Sequence, residues 1–550
     1  MWRSDRRRPM PDSSSSAPLR YEQHYGDRVV ECYTDRPPNV YGILSDAVAR
    51  YPDNTALICG GTRLSYAELD TNVRQVAAGL AARGVGRGDR VAMLLGSGAP
   101  FVVVTYAAAF LGAVTVPLNT RDQMPGIRHA LLNSDAMALI IDAEFRDIVP
   151  LPADTPTLTA QFSVGEALGF DAYETLLHDA PAAHPTQTAD DAVATILYTS
   201  GTTGSPKGAM LTGLGIVHSA TNFMQTMALG PTDSTVIVVP MNHVTGLVAG
   251  IHTLIRCAGC IVVMRTFKAV KFLECAADHG MTYSFMVPAM YNLCLHQAKL
   301  EDYDLSGWRV GGYGGAPMPA ATIERLGKAL PSLGLMNAYG ATETTSPATI
   351  MPSDQTALRR LSVGRPVRGA EIRVMDDTGR EVQRGETGEL WIRGAMVVPG
   401  YWRNPAADKR EFAAGFWKSG DIGSIDAEGF VHVLDRKKDM VNRGGHKIFT
   451  AEVESVLTAV PGVIEAAVVA KPCPILGERV HAVLCVTPDV VDAQTLKDHC
   501  ASQLADYQCP ENYTLRHALL PRNANGKVLK RQIKQELGFD IVPHTAPKET

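Results

Sequence analysis

This sequence predicts a large α/β protein built on parallel sheets, followed by a small, mobile α+β domain. Three observations carry that prediction. Helix-like and strand-like segments alternate along most of the chain, the pattern of parallel sheets covered by helices. Near residue 365 the alternation gives way to short strand-like runs separated by turn signals. Beyond a charged stretch at residues 435–439 a separate α+β pattern begins. At 550 residues the chain also exceeds the size at which single hydrophobic cores stop growing, so more than one domain is expected.

The elements follow in order. The chain opens with Arg3, Arg6, Arg7 and Arg8, then Ser13 to Ser16, with no apolar run behind them. Residues 1–36 therefore read as a flexible tail and not as a secretory signal. The apolar spacing over Tyr66–Ala82 predicts a helix, and Arg90–Leu95 a strand. Val91–Leu118 carries no charge and is long enough to span a bilayer. Gly96, Gly98, Pro100, Gly112 and Pro117 divide it into a strand (Val91–Leu95), a helix (Phe101–Phe110) and a strand (Ala113–Pro117), all buried in a soluble domain. Glu371–Met375, Gly388–Arg393 and Gly429–Leu434 read as strands with turns at Asp377-Thr378-Gly379 and Ala427-Glu428-Gly429, a small antiparallel or β-barrel-like subdomain over about 365–434. Past Asp435-Arg436-Lys437-Lys438-Asp439, helices are predicted at Ala451–Val460 and Thr495–Leu504, and strands at Val463–Ala470 and Val480–Val486. The division is a large domain over 37–436 and a small one over 437–550.

Composition excludes some classes of function. Apolar residues make up 45% and charged residues 20%, with a net charge of −5, an ordinary soluble profile. Neither nucleic acid nor an anionic membrane is indicated as a partner. Ten dispersed cysteines suit a reducing cytoplasm. Cys257-Ala258-Gly259-Cys260 lacks a second pair or a nearby histidine and leads into the apolar run Ile261–Met264, so it reads as core. Gly311–Gly315 does not give the GxGxxG of a dinucleotide site, and HExxH, GxSxG and EF-hand spacings are absent.

The strongest local signal is Tyr198-Thr199-Ser200-Gly201-Thr202-Thr203-Gly204-Ser205-Pro206-Lys207-Gly208, which follows the strand-like run Ala192–Leu197. Glycines and small hydroxyls let N–H and O–H donors close around phosphate oxygens, and Lys207 adds positive charge. Pro206 and Gly208 stand where a Walker A loop needs Gly and Ser or Thr, so this is another phosphate loop or a flexible surface loop.

Other segments point to the first. The loop resembles the phosphate-binding signature of the adenylate-forming superfamily, which includes acyl-CoA synthetases, adenylation domains of peptide synthetases and beetle luciferases. The likeness extends over about residues 40–535. It takes in Leu64-Ser65-Tyr66-Ala67-Glu68-Leu69, Gly112-Ala113-Val114-Thr115-Val116-Pro117-Leu118-Asn119, Gly315-Ala316-Pro317, Asn337-Ala338-Tyr339-Gly340-Ala341-Thr342-Glu343, Trp417-Lys418-Ser419-Gly420-Asp421, Asp435-Arg436 and Asn525-Gly526-Lys527.

The resemblance implies a role for each position, and the chemistry of each residue suits that role. A carboxylate attacking the α-phosphate of ATP needs charge offset and in-line alignment. Lys527 would supply a mobile charge, and Glu343 would hold Mg²⁺. Thr199 and Thr342 would donate to phosphate, along with the loop Ser200, Gly201, Thr202, Thr203, Gly204 and Lys207. Asp421 would accept from the ribose hydroxyls, and Arg436 would donate nearby. Tyr339 would face adenine and Asn337 would meet its edge, beside Ala338, Gly340, Gly315, Ala316 and Pro317. His243 would sit between acid pocket and thiol channel. Lys438 would be the hinge, and Gly444-Gly445 would line the channel for coenzyme A.

The implied function is an AMP-forming acid–thiol ligase that uses ATP, Mg²⁺ and coenzyme A. The short tail after Lys527 leaves no room for a fused carrier domain. A free-standing enzyme serving a separate carrier protein is the second reading, a luciferase-like oxygenase the third, and a non-catalytic interaction protein the fourth. Segments expected at the acid pocket (His243–Val248, Met286–Met290, Tyr313–Gly315, Ala338–Ala341) contain no Arg or Lys. An apolar monocarboxylate, fatty, alicyclic or aromatic, is therefore expected. A cytoplasmic location is expected, and the oligomeric state is open, a homodimer included.

Overall fold

The computed structural model describes residues 17–178, 180–199, 206–522 and 528–539. It has two compact units, Met1–Arg373 with Trp391–Lys418, and Val374–Leu390 with Ser419–Thr550. The unit boundary falls inside the strands Ala370–Met375, Gly388–Gly394 and Phe416–Ile425.

Two mostly parallel sheets build the first unit. One runs Lys207–Thr212, Val193–Thr199, Val114–Pro117, Arg90–Leu94, Ala138–Asp142, Ala160–Val164, Asp171–Ala172. The other runs Arg365–Pro366, Thr349–Ile350, Gly334–Tyr339, Val310–Gly314, Tyr283–Met286, Ser234–Ile237, Cys260–Val263, Thr55–Cys59, Thr62–Ser65. The chargeless run resolves as expected, with a strand at Arg90–Leu94, a helix at Ala99–Leu111 and a strand at Val114–Pro117. Its helix is apolar all round because it is buried all round, from Phe101 through Phe110. At 13 residues it is too short to cross a bilayer. Among the described residues no helix is long and apolar enough to do so. Gly112 ends it in the left-handed region (φ 68°), where a Cβ would come within 2.8 Å of Thr188.

The Leu64–Leu69 motif has a structural cause. Ser65 Oγ accepts from the Glu68 N–H, and the Glu68 carboxylate accepts from the Ser65 N–H at 2.7 Å. This reciprocal cap starts the helix Tyr66–Ala82. Cys257 and Cys260 flank Gly259, between the helix Thr253–Arg256 and the strand Cys260–Val263. Tyr66 Oη donates to the Gly259 carbonyl at 2.7 Å, which agrees with a core role for that pair.

The N-terminal region differs from a tail over 1–36. Leu19–His24 and Arg28–Tyr33 form an antiparallel hairpin. Val30, Cys32 and Tyr33 are buried, the first two in a cluster with Leu214 and Ala395. Arg36 anchors the segment through Glu22 and Asp190, each at 2.6 Å. An edge hairpin of mixed polarity has weak periodicity, and only its long-range partners make it ordered.

The second unit centres on a sheet ordered His446–Ile448, Val441–Arg443, Gly477–Val486, Val463–Cys473, with Asn512–Arg516 parallel to Gly477–Val486. Alternate residues of Val463–Cys473 enter two cores. Val468 and Ala470 pack with Val453, Leu457 and Leu496, while Ala467 and Val469 pack with Leu520 and Ile533. Burial of both faces is why this strand reads as one continuous apolar run. The helices are Thr450–Thr458, Ala493–Gln503 and Lys530–Glu536.

Candidate active site

Four adjacent parallel strands of the larger sheet end together: Ser234–Ile237, Tyr283–Met286, Val310–Gly314 and Gly334–Tyr339. Their register aligns Met286 with Tyr313, Tyr313 with Asn337, and Gly314 with Ala338. The carboxyl ends of parallel strands are where open α/β sheets form their ligand crevices. This topology brings the segments at Met286–Met290, Tyr313–Gly315 and Asn337–Ala341 to one edge, with Ala316 and Pro317 just beyond. Gly314 tolerates no side chain, since a Cβ would stand 2.4 Å from the Ala338 carbonyl oxygen. Gly315 follows with φ 78°.

His243 lies on the loop after Ser234–Ile237. Its Nδ1 accepts from the Thr245 N–H at 3.3 Å, which leaves the proton on Nε2. Burial lowers its pKa to about 4, so the ring is neutral near pH 7. Gly246 permits the tight turn that follows, because a Cβ there would clash with the Pro240 carbonyl.

Thr342 and Glu343 open a short 3₁₀ turn after the strand Gly334–Tyr339, and both are buried. Burial raises the pKa of Glu343 above the usual carboxylate range. Its Oε1 accepts from Tyr401 Oη at 2.8 Å. Tyr401 Oη also lies 2.7 Å from Glu411 Oε2. Glu411 in turn accepts from Lys207 Nζ through both oxygens, at 2.8 and 2.6 Å. Lys207 Nζ sits 4.2 Å from the centroid of the Tyr401 ring. Lys207 and Glu343 thus belong to one network. Thr199 faces Lys207 across the antiparallel pair, its Oγ1 3.4 Å from the Lys207 carbonyl. Ser200, Gly201, Thr202, Thr203 and Gly204 lie outside the described residues.

Neither Tyr401 nor Glu411 stands out in the sequence. Gly400-Tyr401-Trp402 reads as an ordinary aromatic turn, and the contact with Glu343 spans 58 residues. The one available signal is an acidic residue closing the helix Pro405–Glu411, where the helix dipole disfavours it.

In the second unit, Asp421 and Arg436 face each other across an antiparallel pair. Arg436 Nε donates to the buried Asp421 Oδ1 at 2.6 Å, and the Asp421 N–H donates to Ser419 Oγ. Lys438 lies in the turn after this strand. Gly444 and Gly445 form the two-residue loop of a hairpin, with φ 59° and 91°. That turn requires positive φ at both positions, so the hairpin alone accounts for both glycines. Lys527 lies outside the described residues.

Residues 44–402 match the AMP-binding enzyme family, and residues 452–527 match the AMP-binding enzyme C-terminal domain. The chain belongs to the AMP-binding enzyme family. Relatives that it resembles are named as acid–thiol ligases. It is 32% identical to a long-chain-fatty-acid–CoA ligase of Mycobacterium tuberculosis over 483 residues, 87% of this chain and 94% of the relative. It is 33% identical to a feruloyl-CoA synthase of Amycolatopsis over 490 residues, 88% of this chain and 96% of the relative. Among solved AMP-binding enzymes, O-succinylbenzoate coenzyme A synthetase from Bacillus subtilis, in complex with ATP and magnesium ion, superposes with a TM-score of 0.80 at 29% identity, covering 90% of this chain and 99% of that one. The expected fold class holds, with a large N-terminal unit of parallel sheets and a small C-terminal unit.

Proposed function

We propose that this enzyme condenses an apolar monocarboxylic acid with ATP, releasing pyrophosphate, and then transfers the acyl group from the acyl-AMP to coenzyme A, releasing AMP. The network joining buried Glu343 to Lys207 through Tyr401 and Glu411 carries the reading. It places a carboxylate suited to a hard divalent cation beside an ammonium suited to phosphate. Magnesium held there by Glu343 would offset the negative charge of the phosphates.

The chain's residues divide the work. Thr199, Thr342 and Lys207, with the loop Ser200–Gly204, bind the phosphates. Asn337, Ala338, Tyr339, Gly340 and Gly315–Pro317 hold the base, and Asp421 and Arg436 hold the ribose. Lys527 brings carboxylate and α-phosphate together. Residues 437–550 then turn about Lys438, and Gly444-Gly445 admits the pantetheine arm. His243, neutral and fixed in one tautomer, borders the acid without adding charge.

Two observations support the acid class. The strand-end segments bring no Arg or Lys to the pocket, and a second carboxylate buried unpaired there is costly. The fatty-acid and feruloyl ligases are named for acids with one carboxylate and an apolar chain or ring, whereas the matched O-succinylbenzoate synthetase is named for an acid with two carboxylates. The test is pyrophosphate release with a panel of acids, followed by thioester analysis with coenzyme A. Octanoate and substituted benzoates or cinnamates should outperform dicarboxylates of equal length. A clear preference for malonate or succinate refutes the acid class. Acyl transfer to a carrier protein but not to coenzyme A refutes the acceptor.

A further inference from the structure

We infer that Glu411 is a positioning residue that holds the Lys207 ammonium away from Glu343, keeping the Glu343 carboxylate free for a divalent cation. The inference rests on the reading above, in which Glu343 takes magnesium.

The geometry of the pair carries it. Lys207 and Glu343 have opposite charges and belong to one network, yet no direct contact joins them. Tyr401 lies between them, its ring under the ammonium and its hydroxyl on both carboxylates. Two N–H groups of Lys207 are taken by the two oxygens of Glu411. A lysine has three such donors, so one remains for a phosphate oxygen. The pair is well enclosed, with side chains 13% and 22% exposed. Arg410 also donates to Glu411 Oε1, at 2.8 Å.

The surrounding backbone is built to hold this arrangement. Tyr401 pairs with Ala209 in an antiparallel bridge, and the Trp402 N–H donates to the Gly208 carbonyl at 2.7 Å. Segment 400–402 is thereby fastened to the strand that begins at Lys207. Asp408 accepts from the Tyr401 N–H at 2.7 Å, which ties the same segment to the helix carrying Glu411. Without the Glu411 charge, the carboxylates left to attract Lys207 are Glu343 and Asp408, and Asp408 Oδ1 already accepts from the Tyr401 N–H. An ammonium at Glu343 competes with the cation.

The experiment measures ATP binding by calorimetry, without acid substrate, across a magnesium titration. It compares wild type, Glu411→Gln, Lys207→Met and the double variant. Glu411→Gln should raise the magnesium concentration for half-maximal ATP binding by about tenfold, the scale of one charged hydrogen-bonded contact. Saturating magnesium should restore its ATP affinity. In the Lys207→Met background the same substitution should change the magnesium requirement less than twofold, because the competing ammonium is gone. Thermal unfolding checks that each variant is folded. An unchanged magnesium requirement in Glu411→Gln overturns the inference. So does an equal shift with and without Lys207, which marks Glu411 as structural. If ATP binding to the wild type ignores magnesium, the assignment of Glu343 fails and this inference fails with it.

Discussion

Glu343→Gln separates a functional carboxylate from a structural one, because the two roles predict opposite changes in stability. The substitution keeps the size of the side chain and its Oε1 acceptor, so the 2.8 Å bond from Tyr401 can be kept. Burial disfavours the ionised form of Glu343, as its raised pKa shows. Removing that charge should leave the fold as stable as before, or more stable by about 1 kcal/mol. The chemistry should respond differently. Losing one preorganised electrostatic contact costs roughly two to three orders of magnitude in rate, about 3–4 kcal/mol at the transition state. The assay is ATP–pyrophosphate exchange with a good acid substrate, set beside thermal unfolding of the same preparation. The expected result is a hundredfold or greater loss of exchange with an unchanged or higher melting temperature. Near-normal exchange refutes the metal role. A loss accompanied by a markedly lower melting temperature shows instead that the carboxylate holds the structure together.

Three further outcomes are expected. Lys527→Ala should slow adenylation by on the order of a hundredfold yet still convert supplied acyl-AMP and coenzyme A to thioester, whereas Lys438→Pro should keep adenylation and lose the transfer; equal impairment of both half-reactions by Lys527→Ala rules out alternation about Lys438. In the second unit, Lys530 Nζ lies 2.7 Å from Glu454 and donates to Thr450 Oγ1, so Lys530→Met should destabilise that unit by about 1–3 kcal/mol by leaving the partly buried Glu454 carboxylate with the Val468 N–H alone; an unchanged denaturant midpoint for the unit contradicts this. Burial holds His218, His243 and His252 at pKa values of about 3, 4 and 3, below the ordinary 6.5. Between those values and 6.5 the unfolded chain binds more protons, so stability rises with pH and is lost as pH falls below 6.5. At pH 5 each should cost about 2 kcal/mol, and equal stability at pH 7 and pH 5 shows that the folded state admits the charged rings.

Much of the fold was legible because local rules and tertiary structure agree. Tyr66–Ala82 carries its own capping box and its own apolar stripe, and it forms over the residues that the pattern predicts. The chargeless run from Val91 parsed correctly because glycine and proline mark its joints. The hairpin Leu19–Tyr33 was missed because an edge pair of mixed burial, with a third of its residues exposed, carries little periodicity. The glycines at 444 and 445 were legible as a constraint, but the structure ties them to a tight hairpin.

By itself the sequence determined the family and the order and type of most of the elements. Each of these is written in local composition and spacing, which survive without knowledge of distant partners. Only the tertiary structure decided which residues meet. Lys207, Glu343 and the pair Tyr401 and Glu411 come from three separate stretches of chain. Their meeting depends on strand order and on an antiparallel bridge at Ala209 and Tyr401. Side-chain hydrogen bonds act over about 3 Å, so a network of this kind exists only once folding has closed the loops between its members.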